Sequence, residues 1–418
     1  MSFPKVELMA PAGNFDSLAA AIQAGADSIY FGVEQLNMRS RSSVNFTVHD
    51  LKEIATRCKA HHVKTYLTLN TIVYDHDLAL MKLIINSAKQ VGIDAVIAAD
   101  QAVIAYANKQ KMEVHISTQL NITNVDTVEF YARFADVMVL SRELSIRQIK
   151  GISDAIKKQQ IKGPSGKLVQ IEVFAHGSLC MAVSGKCYLS LHTHNASANR
   201  GACVQNCRRK YKVIDIEDGH ELELDNEYIM SPKDLCTIDF LNELIAAGVN
   251  VLKIEGRGKS ADYVKTVTQC YREAIDLYYE GMFTQNKVKE WKEQLQQVYN
   301  RDFWGGYYLG KELGEWTDTA GSKALTRKIY LGKGSRYFSK SKIAEFEIES
   351  YSLEVGDKIA IIGPTTGVIE HVVASLHVNE EGAKTTAAKG DLCAFPLDVP
   401  IRKSDKLYKI VAAEEVVA

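Results

Sequence analysis

The sequence has no apolar run long enough to cross a bilayer. Its most apolar stretches are short and interrupted, well under the roughly 20 residues that a spanning helix needs. It has no excess of either charge, with 50 Lys and Arg against 51 Asp and Glu. No global field draws it to nucleic acid or membrane, so a polyanionic partner must be met by a local patch. Met1 to Met9 has no charged region followed by a long apolar segment, which argues against a secretory signal. The chain is therefore expected in the cytoplasm, without a membrane association. A glycine-rich dinucleotide turn does not follow the first strand pattern, a His-Glu-x-x-His helix is missing, and so is a Gly-x-Ser-x-Gly elbow. These absences weigh against a dinucleotide-binding sheet, a zinc protease helix and a serine hydrolase.

Short β-branched runs do alternate with amphipathic patterns, the rhythm of a parallel sheet. Strands are predicted at Val6 to Ala10, Ser28 to Gly32, Lys64 to Leu69, Asp94 to Ala98, Glu113 to Ser117, Asp136 to Leu140, Ile171 to Ala175 and Asn250 to Ile254. Helices are predicted at Asn14 to Ala24, His49 to His61, Asp77 to Val91, Gln101 to Lys109, Asn124 to Arg133, Ser145 to Lys157, Pro232 to Ala247 and Ser260 to Glu280. Eight such repeats suit a closed (β/α)8 TIM-type barrel. Polar residues follow most of the strands: Asn14, Asn70, Asp100, Thr118 to Asn121, Ser141 to Glu143, His176 and Glu255 to Arg257. In barrels that rim builds the active site. Residues 1–318 are assigned to the barrel, with a long insertion at 176–249. Beyond Thr319 the pattern becomes short alternating runs, including Lys342 to Ile348, Lys358 to Ile362, Gly367 to Val373 and Lys406 to Ile410. Residues 319–418 therefore read as a small antiparallel β-barrel domain. The aromatic connector Asn300 to Gly310 is expected to pack between domains.

Cysteine is not scarce. Five of the eight lie in the insertion: Cys180, Cys187, Cys203, Cys207 and Cys236, spaced by 7, 16, 4 and 29 positions. Disulfides are rare in a reducing compartment. Four thiolates are what a tetrahedral zinc or a cubane cluster requires. The spacing lacks the paired C-x2-C knuckles of a zinc ribbon, and a cluster suits it better. Reduced structural cysteines or a redox pair are the other reading. Cys58, Cys270 and Cys393 stand apart and read as buried thiols. Arg200, Arg208, Arg209, Lys210 and Lys212 form the local basic patch, with Tyr211 placed to stack a base.

These residues carry a resemblance. Glu172, Phe174, His176, Gly177, Cys180, Ser184, Gly185 and Cys187, followed by Asn199, Arg200, Gly201, Cys203, Cys207 and Arg208, resemble the signature of the collagenase-like peptidase family of bacteria and archaea. Pro11 to Asn14 and Tyr30 to Gly32 fit it too. Despite the family name, several members are RNA hydroxylation proteins that use prephenate and depend on an iron–sulfur cluster. The chain is most similar in length to the branch that makes 5-hydroxyuridine at the tRNA wobble position.

The resemblance implies tRNA and prephenate as substrates, a 4Fe-4S cluster as cofactor, and room for a protein partner in the pathway. It implies Cys180, Cys187, Cys203 and Cys236 as ligands, with Cys207 competing for the last place. Prephenate carries two carboxylates, which suit arginine forks. Arg39 and Arg41 after the second strand and Arg257 after the eighth are candidates to bind it, and Arg200, Arg208 and Arg209 to bind RNA. His176 is a candidate to relay a proton or orient a ligand. Glu172, pointing either into the barrel or outward, is a further catalytic candidate. The rivals are a collagenase-like metallopeptidase, a ribosomal RNA hydroxylase, and a non-enzymatic RNA-binding protein with a structural metal.

Overall fold

The computed structural model describes residues 5–41, 45–211, 228–310, 314–319, 321–380 and 382–414. Eight parallel strands close into a barrel: β1 (Glu7–Pro11), β2 (Ser28–Phe31), β3 (Lys64–Leu69), β4 (Ala95–Ala98), β5 (Glu113–Ile116), β6 (Val137–Val139), β7 (Gln170–Gly177) and, after the short β8 (Asp234–Cys236), β9 (Val251–Ile254). Each pairs with the next, β7 pairs with β9, and β9 closes the ring on β1. The eight expected strands are these.

Period-2 alternation sorts their side chains. Met9, Tyr30, Tyr66, Ile97, Val137 and Val251 fill the barrel. Their neighbours Leu8, Ala10, Ile29, Phe31, Leu67 and Leu252 face the helical layer, so the strands are buried on both sides. That layer comprises α1 (Phe15–Gln23), α2 (Leu51–Ala60), α3 (Leu78–Val91), α4 (Gln101–Lys109), α5 (Val125–Ala132), α6 (Ile146–Gln159), and, beyond the insertion helix α7 (Leu189–His194), α8 (Leu241–Ala246), α9 (Ala261–Tyr279) and α10 (Gln285–Gln297). Asn14, Asp100, Asn124 and Ser145 cap four of these helices through their side chains, as their position before an apolar periodic run suggests.

Two expectations need correction. Pro232 to Ala247 is not one helix: Asp234–Cys236 forms β8, antiparallel to the end of β7, then a 3-10 turn leads into the six-residue α8. Helix α10 was not expected at all. The connector forms β10 (Phe303–Trp304) beside β8. Trp304 and Tyr308 are buried, and Tyr308 donates to the Phe174 carbonyl at 2.7 Å, so packing is its role.

The C-terminal residues form antiparallel β-structure. Its strands are β11 (Thr326–Phe338), β12 (Ile343–Ile348), β13 (Leu353–Glu354), β14 (Lys358–Gly363), β15 (Gly367–Val372), β16 (Leu376–Val378), β17 (Ala383–Lys384), β18 (Thr386–Ala387), β19 (Leu392–Pro396) and β20 (Lys406–Ala412). Eight form one sheet, in the order β15-β14-β20-β11-β12-β19-β16-β17, and β13 pairs with β18. They share one core around Phe346 and Phe395. This unit docks on α1 and α9 through Ala20, Ala261, Ala360, Ile362 and Val368. Gln23 brackets its hairpin turn, donating to the Thr366 carbonyl and accepting from Val368 N. Among the described residues, no helix is long and apolar enough to cross a membrane.

Candidate active site at the barrel mouth

A cavity of about 420 Å³ opens at the C-terminal ends of the strands, roofed by the insertion. Four cysteines line it: Cys180, Cys187, Cys203 and Cys207. Cys180 and Cys187 follow β7, Cys203 follows a 3-10 turn at Ala198–Arg200, and Cys207 lies in a second one at Asn206–Arg208. They are near enough that the Cys207 thiol, pushed up by burial, also feels the other three. Cys236 does not join them. It is buried on β8 opposite His176, with Sγ 3.9 Å from the Tyr271 hydroxyl. Burial holds its thiol up at about 11. The structure thus assembles Cys207, not Cys236, with the other three.

Among the described residues, no three His, Cys, Asp or Glu side chains converge closely enough to hold a single metal ion. A cubane cluster holds its thiolates farther apart than one tetrahedral ion does. Four thiols around one cavity are a donor set that fits such a cluster.

Protein-only contacts hold the insertion in place. Arg200 reaches back to the Ile72 carbonyl (2.9 Å), pairs with Asp77 and stacks on Tyr74 at 4.1 Å. Its hydrogen bond holds the Asp77 carboxyl below the usual carboxylate range. Arg208 donates to Ser231 Oγ (2.9 Å) and the Pro232 carbonyl (2.7 Å). Gly201, at φ +81°, packs so closely that an added Cβ would lie 2.3 Å from the Asn37 carbonyl oxygen.

The remaining wall is cationic. Arg39, Arg142, Arg208, Arg257, Arg301, Lys253 and Lys259 all line it. Arg39 Nη2 donates to Glu255 Oε1 at 2.9 Å. Burial alone would raise the Glu255 carboxyl, but Arg39 and Lys259 hold it below its ordinary value. Arg257 donates to Asn37 Oδ1 (3.0 Å) and Thr68 Oγ1 (2.8 Å), and burial lowers it to about 10. Burial lowers Lys259 to about 8. Asn70 and Gln119 add polar groups, Tyr30 and Phe174 apolar faces. Such a chamber suits a compact, multiply charged anion with an apolar body.

Of the expected residues, Arg39, Arg257 and Arg208 reach the cavity, the last as a clamp for the insertion. Arg41, Arg200 and Arg209 do not line it. Arg41 is exposed and its amide donates to Gly201, while Arg209 is exposed. Tyr211 donates to the Asn206 carbonyl at 2.7 Å, and Lys212 lies outside the described residues. His176 is buried among Tyr263, Tyr271 and Phe303, off the cavity. Burial pushes its imidazole down to about 3, so it stays neutral and is no proton donor near neutrality. Glu172 also stays off the cavity: it lies inside the barrel, 2.7 Å from Lys253 Nζ. Lys253, Lys259 and Arg301 were missed, and Arg142 was named only among the polar residues of the rim. The first two stand on or just after β9, where their position relative to Glu255 and Arg257 was the available signal.

Residues 13–318 match the model of Peptidase family U32. The chain belongs to that family. Among its relatives, a protein named collagenase from Porphyromonas gingivalis is 54% identical over 99% of this chain and 100% of its own length. The tRNA hydroxylation protein P1 of Bacillus subtilis is 30% identical over 97% of this chain and 95% of its own. The 23S rRNA 5-hydroxycytidine C2501 synthase of Escherichia coli is 34% identical, over 66% of this chain and 40% of its own.

Proposed function

We propose that this U32 protein is an RNA-modifying hydroxylase that acts at C5 of the wobble uridine of tRNA with prephenate as co-substrate. The observation that carries it is the union of four thiols and a cationic wall in one cavity at the barrel mouth. The names of the Bacillus and Escherichia relatives support hydroxylation of an RNA base. Cys180, Cys187, Cys203 and Cys207 would hold a 4Fe-4S cluster, which when bound supplies redox or substrate-ligating chemistry. Arg39, which follows β2, and Arg257, which follows β9, would grip the two carboxylates of the co-substrate. Tyr30 and Phe174 would cover its ring.

The test is anaerobic reconstitution of the full chain with iron and sulfide, then incubation with unmodified tRNA and prephenate. Nucleoside mass spectrometry is expected to show a uridine that has gained one oxygen, dependent on prephenate. RNA that is bound but unchanged in mass favours the non-enzymatic RNA-binding reading. One observation favours a second enzymatic reading, peptide hydrolysis: the name of the Porphyromonas relative. Cleavage of gelatin by the same highly purified protein, abolished by chelator, would establish it.

A further inference from the structure

The apolar filling of the barrel is interrupted by a file of ionisable side chains. Glu113 opens β5 at the N-terminal face, 48% exposed, with Oε1 3.3 Å from His115 Nε2. His115 is buried, its ring 4.4 Å from that of Tyr66. Its Nδ1 faces Glu172 Oε2 at 4.0 Å. Neither of these two buried atoms has a hydrogen-bond partner among the described residues. The other Glu172 oxygen accepts from Lys253 Nζ at 2.7 Å, and Lys253 lies on the cavity wall. Unpaired buried polar atoms are costly, yet here two face each other across the 4.0 Å gap midway along the file.

We propose that Glu113, His115, Glu172 and Lys253 form a proton route through the barrel, linking the cavity to solvent at the opposite face. It rests on the reading above in one respect: an RNA seated on the mouth would close the direct path to water. One proton moves as Lys253 Nζ–H breaks and Glu172 Oε1–H forms. Rotation of the carboxyl presents that proton to His115 Nδ1, and His115 Nε2–H is released to Glu113. Lys253 is left as a neutral amine facing the cavity, and no electrons move. The groups facing Lys253 are Glu172, Arg142, Arg257 and the ring of Tyr30, 4.5 Å from Nζ. Those facing His115 are Glu113, Glu172 and Tyr66, with Glu7 and Lys64 behind Tyr66. Burial holds the Lys253 amine below its usual range despite Glu172, which favours release of its proton. His115 and Glu172 act through Lys253 and are positioning residues.

The test is single-turnover hydroxylation by the reconstituted full chain, across pH and in D2O. His115→Gln is expected to slow turnover by about tenfold or more, to alter the pH profile and to enlarge the solvent isotope effect, with RNA affinity and melting temperature unchanged. Glu113→Gln, at the exposed end, is the variant to use if His115→Gln fails to fold, and is expected to shift the profile the same way. A wild-type rate and profile in the folded variant overturns the route. If wild type modifies no RNA, the functional reading fails and the route is read separately in 15N-histidine spectra. Lys253→Met is then expected to change the tautomer pattern of the His115 ring nitrogens, and an unchanged pattern overturns it.

Discussion

Arg39 and Glu255 meet across the cavity at 2.9 Å, tying the segment after β2 to the segment after β9. Glu255 in turn raises the Arg39 guanidinium further, keeping it charged despite burial. A charge-assisted hydrogen bond to a ligand carboxylate contributes about 1.5–3 kcal/mol. Arg39→Ala is therefore expected to weaken prephenate binding by about tenfold or more, measured by calorimetry on the reconstituted protein. Arg41→Ala, outside the cavity, is expected to leave that affinity unchanged. Equal losses in both would remove Arg39 from the proposed binding site.

The two candidate fourth ligands separate cleanly. Cys207→Ser is expected to abolish most cluster incorporation, read as iron and sulfide content and visible absorption after anaerobic reconstitution. Cys236→Ser is expected to retain it, because Cys236 faces Tyr271 rather than the other thiols. The reverse pattern would restore Cys236 as ligand.

Lys259 is expected to set a pH limit on binding of the proposed anion. Its amine is charged below about 8 and neutral above, so the positive charge of the cavity falls as pH rises through that value. Prephenate affinity is expected to drop between pH 7 and 9. Bound anion raises the midpoint by favouring the charged form. In Lys259→Met the step should vanish; a step that persists would belong to another group.

His176 makes an acid-side contribution to stability. Its pKa is about 3 in the folded chain against an ordinary 6.5, so between those values the unfolded state binds the extra proton. Stability therefore rises with pH through this window and is lost as pH falls below 6.5, by about 1.4 kcal/mol per pH unit at most. His176→Phe keeps an aromatic ring and removes the proton uptake. Denaturant melts at pH 7 and 5 should show a smaller difference for the variant than for wild type.

The barrel was legible because its strands are buried on both faces and so appear as uniform apolar runs, as in Leu8 to Ala10 and Val96 to Ala98. Helix α10 was hidden by its Gln and Lys content: only Val288, Trp291 and Leu295 form its buried stripe. The Pro232 to Ala247 segment was misread because β8 exists only by pairing with the end of β7, a contact invisible to local pattern. Cysteine clustering revealed where the thiols lie in the chain, but spacing cannot tell which four face one space. Cys207 and Cys236 differ by tertiary position alone. His176 read as a rim residue because it nearly ends its strand. The register instead turns it behind the wall, onto Tyr271.

The insertion is moored to the barrel by Arg200 on Asp77 and braced within itself by Arg208 on Ser231 and Pro232, none of which involves a thiol. The barrel core and this anchor of the insertion are therefore built from contacts that no thiol supplies. A zinc finger owes its fold to its metal; here loss of the proposed cluster is expected to leave the barrel folded.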